Sequence, residues 1–164
     1  MRKIIAFTGL AGSGKTLASK WLADNQGYQV QSFAAPIKKM VSTVWPQCEE
    51  KTVSYEEFGG KTLRQAYQFL GTEWGRQLMW EDIWVRKLID SMDPDISYVI
   101  DDLRFTNEAK ALKDAGAIIV EIQREGSLKM GHSSEQGIDS AYIDLVINNN
   151  GTPKDLIVKL EKIC

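Results

Sequence analysis

The chain has little of what several common functions require. Its 164 residues include two cysteines, one histidine and four prolines. Cys48 and Cys164 lie far apart and are accompanied only by His132, so the parts for a disulfide framework or a zinc site are missing. Free thiols suit a reducing cytoplasm. Basic residues do not outnumber acidic ones: 20 Lys and Arg face 22 Asp and Glu, for a net charge of -2 and a pI near 5.5. A nucleic-acid partner is therefore disfavoured. No apolar run approaches the roughly 20 residues of a membrane span, and no signal-like apolar core precedes the first strand. A soluble cytoplasmic protein with no membrane partner is expected. Internal repeats and low-complexity segments are also lacking.

What is present is enough for one core. With 43% apolar residues the chain reads as a single domain. Its organising stretch is Gly9-Leu10-Ala11-Gly12-Ser13-Gly14-Lys15-Thr16, two glycines five apart followed by Lys and Thr. Lys3 to Phe7 ahead of it reads as a buried strand, and Leu17 to Ala23 behind it continues as a helix until Gly27. Glycines there let backbone N–H groups converge on polyphosphate oxygens, and the helix N-terminus adds its positive dipole end. Gly9, Ala11, Gly12, Ser13, Gly14, Lys15 and Thr16 are accordingly the expected nucleotide-binding set. Lys15 lies along the β- and γ-phosphates, and the Thr16 hydroxyl joins the coordination of a bridging Mg²⁺.

Further along, Tyr28 to Phe33 alternates like a strand, and Pro36 opens a helix that runs to about Val44. Gln47 to Gly60 reads as a polar loop with a short turn near Ser54 and Glu57. Thr62 and Gln65 have the spacing of a capping box, so a helix starts at Thr62; Gly71 and Gly75 predict a bend before another helix from about Glu81 to Ser91. Ser97 to Asp101 is a core strand ending in acid, Thr106 to Ala115 a helix, Ala117 to Gln123 a third apolar strand, and Tyr142 to Ile147 the last. The Gly- and Ser-rich stretch 124–140 between those two strands is a lid candidate. Thr152-Pro153 caps a final helix. Strands alternating with helices, several apolar throughout, give an α/β class: a parallel sheet with helices on both faces. Ligands bind such sheets at the carboxyl ends of the strands, where the glycine loop, Asp101-Asp102 and the stretch after Gln123 converge.

Asp101-Asp102 follows a core strand directly, so a carboxylate stands at the sheet edge where Mg²⁺ or its waters are within reach: Asp102 or, ending the apolar run in the Walker B manner, Asp101 as the alternative. Spacing alone leaves a rival reading open, in which one of these acids caps the next helix and Arg104 pairs with Glu108 across a turn. At this point Asp101 to Glu108 resembles the Asp-x-Arg-Phe-x-x-Glu segment of phage-type deoxynucleoside monophosphate kinases. Leu70 to Arg76 and Asp82-x-Trp84 resemble that family's Gly-Thr-Glu-x-x-Arg and Asp-x-Trp segments, His132-x-Ser134-Glu135 its lid motif, and Asn148-x-Asn150-Gly151 its final turn. The segments run in order from Gly9 to Leu156.

The resemblance implies a three-layer P-loop kinase fold with sheet order 2-3-1-4-5, a lid near 124–140 and an acceptor-binding helical region near 34–92. It implies transfer of the γ-phosphate of ATP, with Mg²⁺, to a deoxynucleoside 5′-monophosphate. Asp102, Arg104 and Glu108 match the family's functional carboxylate, arginine and glutamate; Arg76 matches an arginine near the acceptor phosphate, and Asn150 falls in the final turn on the ATP side. Arginine suits this chemistry, which needs two anionic groups brought in line and neutralised. Arg124, at the lid entry, is a third candidate beside Arg76 and Arg104, whereas Arg64 and Arg86 read as surface salt bridges. Trp80 and Trp84, four apart, share a face if their helix is continuous and could stack a base or wall its pocket; Phe33 and Lys38 are further acceptor-side candidates.

Rival functions are a related small-molecule phosphate kinase of the phosphomevalonate kinase type and a nucleotide-sensing module. A GTPase lacks its Asn-Lys-x-Asp segment here, and a polynucleotide kinase is disfavoured by the acidic pI. Which base is accepted, and whether the protein forms a homodimer, is not encoded in any recognisable motif.

Overall fold

The continuous apolar runs assemble side by side. In a computed structural model, which describes residues 2–127 and 137–163, the elements in chain order are β1 (Ile4–Thr8), α1 (Lys15–Gln26), β2 (Gln29–Gln31) and α2 (Ala35–Val44). Next come the short strands β3 (Ser54–Tyr55) and β4 (Lys61–Thr62), α3 (Leu63–Gln68), a π-helix at Phe69–Met79 and α4 (Ile83–Asp90). They are followed by β5 (Tyr98–Ile100), α5 (Thr106–Asp114), β6 (Ile118–Gln123), β7 (Leu145–Asn148) and α6 (Pro153–Leu160). The chain divides into two units, one of Met1–Ser32 with Ile89–Cys164, the other Phe33–Leu88.

The first unit is built on a parallel sheet of order β2-β5-β1-β6-β7. Numbered among those five strands alone, this is 2-3-1-4-5, the order the resemblance implies. Every residue of β1 is buried, as a central strand covered on both faces requires. Alternate side chains point to opposite faces. Ile5 and Phe7 join Val99, Val120 and Ile122 in a core closed by Ala18 and Leu22 of α1 and Leu156 and Leu160 of α6. Ile4, Ala6 and Ile119 are also fully or almost fully buried, as are Ala109 and Leu112 of α5. Two strands are shorter than their patterns suggest. β2 spans only Gln29–Gln31 and is an edge strand with Gln29 and Val30 exposed. The last strand starts at Leu145 rather than Tyr142, because the Asp139 side chain accepts from Ala141 N and folds 140–142 into a 3-10 turn. Among the described residues no helix is long and apolar enough to cross a membrane.

Asp144 ties this unit together on its far side. Its Oδ1 accepts from Lys113 Nζ of α5 at 2.6 Å and its Oδ2 from Ile119 N of β6 at 2.7 Å. Burial pushes the carboxyl up, but those two hydrogen bonds and the Lys113 charge outweigh it and hold the group below its ordinary value. A carboxylate depressed by folding stabilises fully above its unfolded pKa and loses that contribution as pH falls through the folded one. The pair is about a third exposed, so its worth is about 1 kcal/mol or less. Asp144→Asn should therefore lower the neutral-pH melting temperature slightly and flatten the fall in stability below about pH 4. Denaturant melts at pH 7 and at acid pH would show this; an unchanged acid slope counts against the assignment.

In the second unit, Thr62 Oγ1 accepts from Gln65 N and Gln65 Oε1 from Thr62 N, the expected capping box at the head of α3. The polar stretch before it holds more structure than a loop. β3 and β4 pair antiparallel, Ser54 with Thr62 and Tyr55 with Lys61, around a 3-10 turn at Glu56–Phe58. The reason is aromatic packing: Phe58 meets Trp45 and Tyr55 edge-on at 5.2 and 5.8 Å, over a core of Val41, Cys48 and Leu63. Where a bend at Gly71 and Gly75 is expected, the chain instead widens into the π-helix.

Candidate active site

The loop Gly9 to Thr16 leaves β1, the central strand of the sheet. Gly9 has φ +132°, and a Cβ there would collide with the Ile122 carbonyl of β6, so only glycine lets the chain pass between those strands. Gly14 has φ +111° and caps α1 without a side chain, which leaves the N–H groups of the helix's first turn to other acceptors. Lys15 Nζ reaches back across the loop to the carbonyls of Gly9 and Leu10 at 2.7 and 2.8 Å. Ser13 is 1% exposed, yet its Oγ has no hydrogen-bond partner among the described residues. Buried unpaired hydroxyls are costly, and one inside a glycine loop fits a site built for a polar ligand. Thr16 is exposed at the start of α1.

The acidic segment leaves β5, the neighbour of β1, with Ala6 in register with Ile100. Asp101 and Asp102 thus follow the strand end beside the loop, and both are half-buried. Asp102 Oδ2 accepts from Ser32 Oγ at 2.7 Å, linking it to the end of β2. Neither acid is the cap of α5. Glu108, 2% exposed, fills that place: its Oε2 accepts from Arg104 N at 2.8 Å and Phe105 N at 3.0 Å. The helical pairing of Arg104 with Glu108 is therefore not what forms, and Glu108 does not grip the guanidinium; it fixes the backbone that carries it. Arg104 is exposed, and no hydrogen bond or ion pair ties its guanidinium to another described residue.

The third contributor is the pair of strand ends β6 and β7. Arg124 is exposed just after β6. Asn150, expected on the ATP side, instead clamps the turn beside Arg124: its Oδ1 accepts from Glu125 N and its Nδ2 donates to Glu125 Oε1, each at 2.8 Å. The residue that reaches the glycine loop is Asn149, whose Nδ2 donates to Ser13 O at 2.8 Å. Sequence reasoning missed it. In a row of three asparagines alternation alone does not tell which side chain turns inward, and only its 4% exposure singles it out.

Phe33, Lys38, Arg76, Trp80 and Trp84 all belong to the second unit. Arg76, in the π-helix, is 9% exposed and donates to Glu81 O at 3.1 Å. Phe33 is 4% exposed and follows the end of β2 rather than closing that strand, while Lys38 is exposed on α2. The expected Trp80–Trp84 face does not exist. Trp80 ends the π-helix in extended conformation and is 53% exposed, whereas Trp84 lies within α4 and is buried. Trp84, the other candidate to stack a base or wall its pocket, packs inward: its Nε1 donates to Gly71 O at 2.8 Å, and a Cβ on Gly75 would come within 2.7 Å of its ring. Of the two glycines that were expected to bend the helix, Gly75 makes room for this indole, while a Cβ on Gly71 would press on Ile37 at 3.0 Å. His132, Ser134 and Glu135, and most of the lid candidate, lie outside the described residues.

Residues 48–160 match the model of the deoxynucleotide monophosphate kinase family. A protein of Acanthamoeba polyphaga mimivirus, provisionally named a deoxynucleotide monophosphate kinase, is 30% identical over 91% of this chain and 89% of its own. The deoxynucleoside-5′-monophosphate kinase of Escherichia phage T5 is 33% identical over 62% of this chain, which spans only 49% of that longer relative. Among solved structures, a sugar kinase from a Janibacter species has a TM-score of 0.53 at 16% identity, covering 99% of this chain and 94% of its own, a likeness of fold. By sequence, and with a phosphate loop and an arginine-bearing acidic segment on adjacent strands of one sheet, the chain belongs to the deoxynucleotide monophosphate kinase family.

Proposed function

We propose that this kinase transfers the γ-phosphoryl group of ATP to a deoxynucleoside 5′-monophosphate, with Gly9 to Thr16 holding the donor and Asp102 and Arg104 the acceptor. The observation that carries the reading is Arg104: an exposed guanidinium without a partner among the described residues, held at a strand end next to the phosphate loop by a buried glutamate. A surface salt bridge would not be built this way.

The residues present fit ATP and Mg²⁺. The loop offers backbone donors, the buried Ser13 hydroxyl lacks a partner among the described residues, and Thr16, Asp101 and Asp102 supply hard oxygen ligands. Among the described residues no group of three or more His, Cys, Asp or Glu forms a metal cage, which suits an ion held mainly by phosphates and water. When bound, Mg·ATP supplies the phosphoryl group and much of its charge neutralisation. The chain does the rest. Lys15 places a positive charge at the loop, and Arg104 orients and neutralises the acceptor phosphate. That phosphate is already an anion at neutral pH and needs no general base. Arg124 beside the loop adds a further cation, and in the second unit Arg76, Lys38 and Trp80 are the groups suited to phosphate and base contact.

A thermal-shift screen tests the reading. Each deoxy and ribo monophosphate, added with Mg·ADP, should raise the melting temperature if it binds the native state, and at least one deoxy compound should do so strongly. No shift with any monophosphate would favour a nucleotide-sensing module instead.

A further inference from the structure

We infer that Asn149 is a positioning residue for the donor site, aiming the backbone of the phosphate loop from beneath. The inference rests on ATP binding at Gly9 to Thr16. Asn149 sits at the first step past β7 and is held there by its own backbone, whose N–H donates to Gln123 O at 2.7 Å at the end of β6. Its side chain runs the other way, under the loop that leaves β1, and Nδ2 meets Ser13 O at 2.8 Å. One residue therefore fastens the ends of β6 and β7 to the loop.

The consequence follows from peptide geometry. The Ser13–Gly14 peptide is planar and trans, so its C=O and N–H point in opposite directions. Drawing the carbonyl down to the buried Asn149 turns the Gly14 N–H up and out, toward the open side of the loop where exposed Gly12 and Thr16 lie. A fixed donor aimed at an anion costs no reorganisation when the ligand arrives. The space is made for this contact. A Cβ on Gly14 would stand 2.5 Å from Asn149 Nδ2 and 3.4 Å from Leu156, so the glycine is needed as much for the asparagine's approach as for its positive φ. Without Asn149, the Ser13 carbonyl is left buried and unpaired, and the peptide is free to rotate toward water.

The test is titration calorimetry of Mg·ATP, and separately of the monophosphate that binds best, on the wild type, Asn149→Ala and Ile147→Val. Asn149→Ala should raise the Kd for Mg·ATP about tenfold or more while leaving that of the monophosphate within about twofold. Ile147→Val, a core truncation two residues back in β7, should lower the melting temperature without weakening ATP. If Asn149→Ala does not fold, Asn149→Ser is judged by the same figures. ATP binding within about twofold of wild type in the asparagine variant, or an equal loss in Ile147→Val, overturns the inference. Failure of the wild type to bind Mg·ATP would overturn the donor-site reading itself, a distinguishable result.

Discussion

Arg104→Ala is expected to lower kcat/KM for the deoxynucleoside monophosphate at least several-hundredfold while barely changing the dissociation constant of ATP. Arginines that stabilise charge in phosphoryl transfer are worth about 10³ to 10⁵ in rate, or about 4 to 7 kcal/mol of barrier. An exposed salt bridge would contribute about 1 kcal/mol or less to stability and nothing to turnover. The two roles differ by orders of magnitude in one steady-state assay. Glu108 sharpens the test because it reaches Arg104 only through the backbone N–H groups of residues 104 and 105. Glu108→Ala should impair kcat/KM by loosening that turn, and the double variant should be little worse than Arg104→Ala alone, since both act on one unit. If Arg104→Ala keeps more than about a tenth of wild-type kcat/KM, the acceptor phosphate must be held elsewhere, with Arg76 the next residue to change.

Lys15→Ala should reduce kcat by about 10²- to 10³-fold or more with the fold intact. The ammonium lies at the mouth of the loop on the Gly9 and Leu10 carbonyls, where the same three donors can serve phosphate oxygens. Its charge matters most as charge develops on the transferring group, so the loss falls on turnover. Truncation also removes two half-buried hydrogen bonds, a cost of about 1 to 2 kcal/mol that a native domain tolerates. Circular dichroism and melting distinguish this from unfolding. Undiminished transfer by a folded Lys15→Ala would end the kinase reading.

Much of this was legible in the sequence where local chemistry dictates local structure. The glycine loop, the Thr62–Gln65 cap, the Thr152-Pro153 helix start and the apolar strands each announce themselves, because a backbone conformation or a buried face admits few residue types. What stayed hidden depends on tertiary contacts. The β3–β4 hairpin exists because Trp45, Tyr55 and Phe58 pack together, a grouping that no period in a polar stretch reveals. Gly75 and Gly71 look like helix breakers until Trp84 is seen in the space the first leaves and Ile37 beside the second. At the site, the spacing of Arg104 and Glu108 suggests an ion pair, but the glutamate is drawn to the bare N–H groups at the start of α5. Asn149 stayed hidden for the same reason: which of the three asparagines faces inward is decided by how β7 meets β6.

The central claim is tested most directly by incubating the purified protein with Mg²⁺, γ-³²P-labelled ATP and each deoxynucleoside monophosphate in turn, and separating the nucleotides. The account predicts label in a deoxynucleoside diphosphate, formed one for one with ADP and lost in Lys15→Ala and Arg104→Ala. Label appearing only in inorganic phosphate, or transfer that both variants retain, would contradict it.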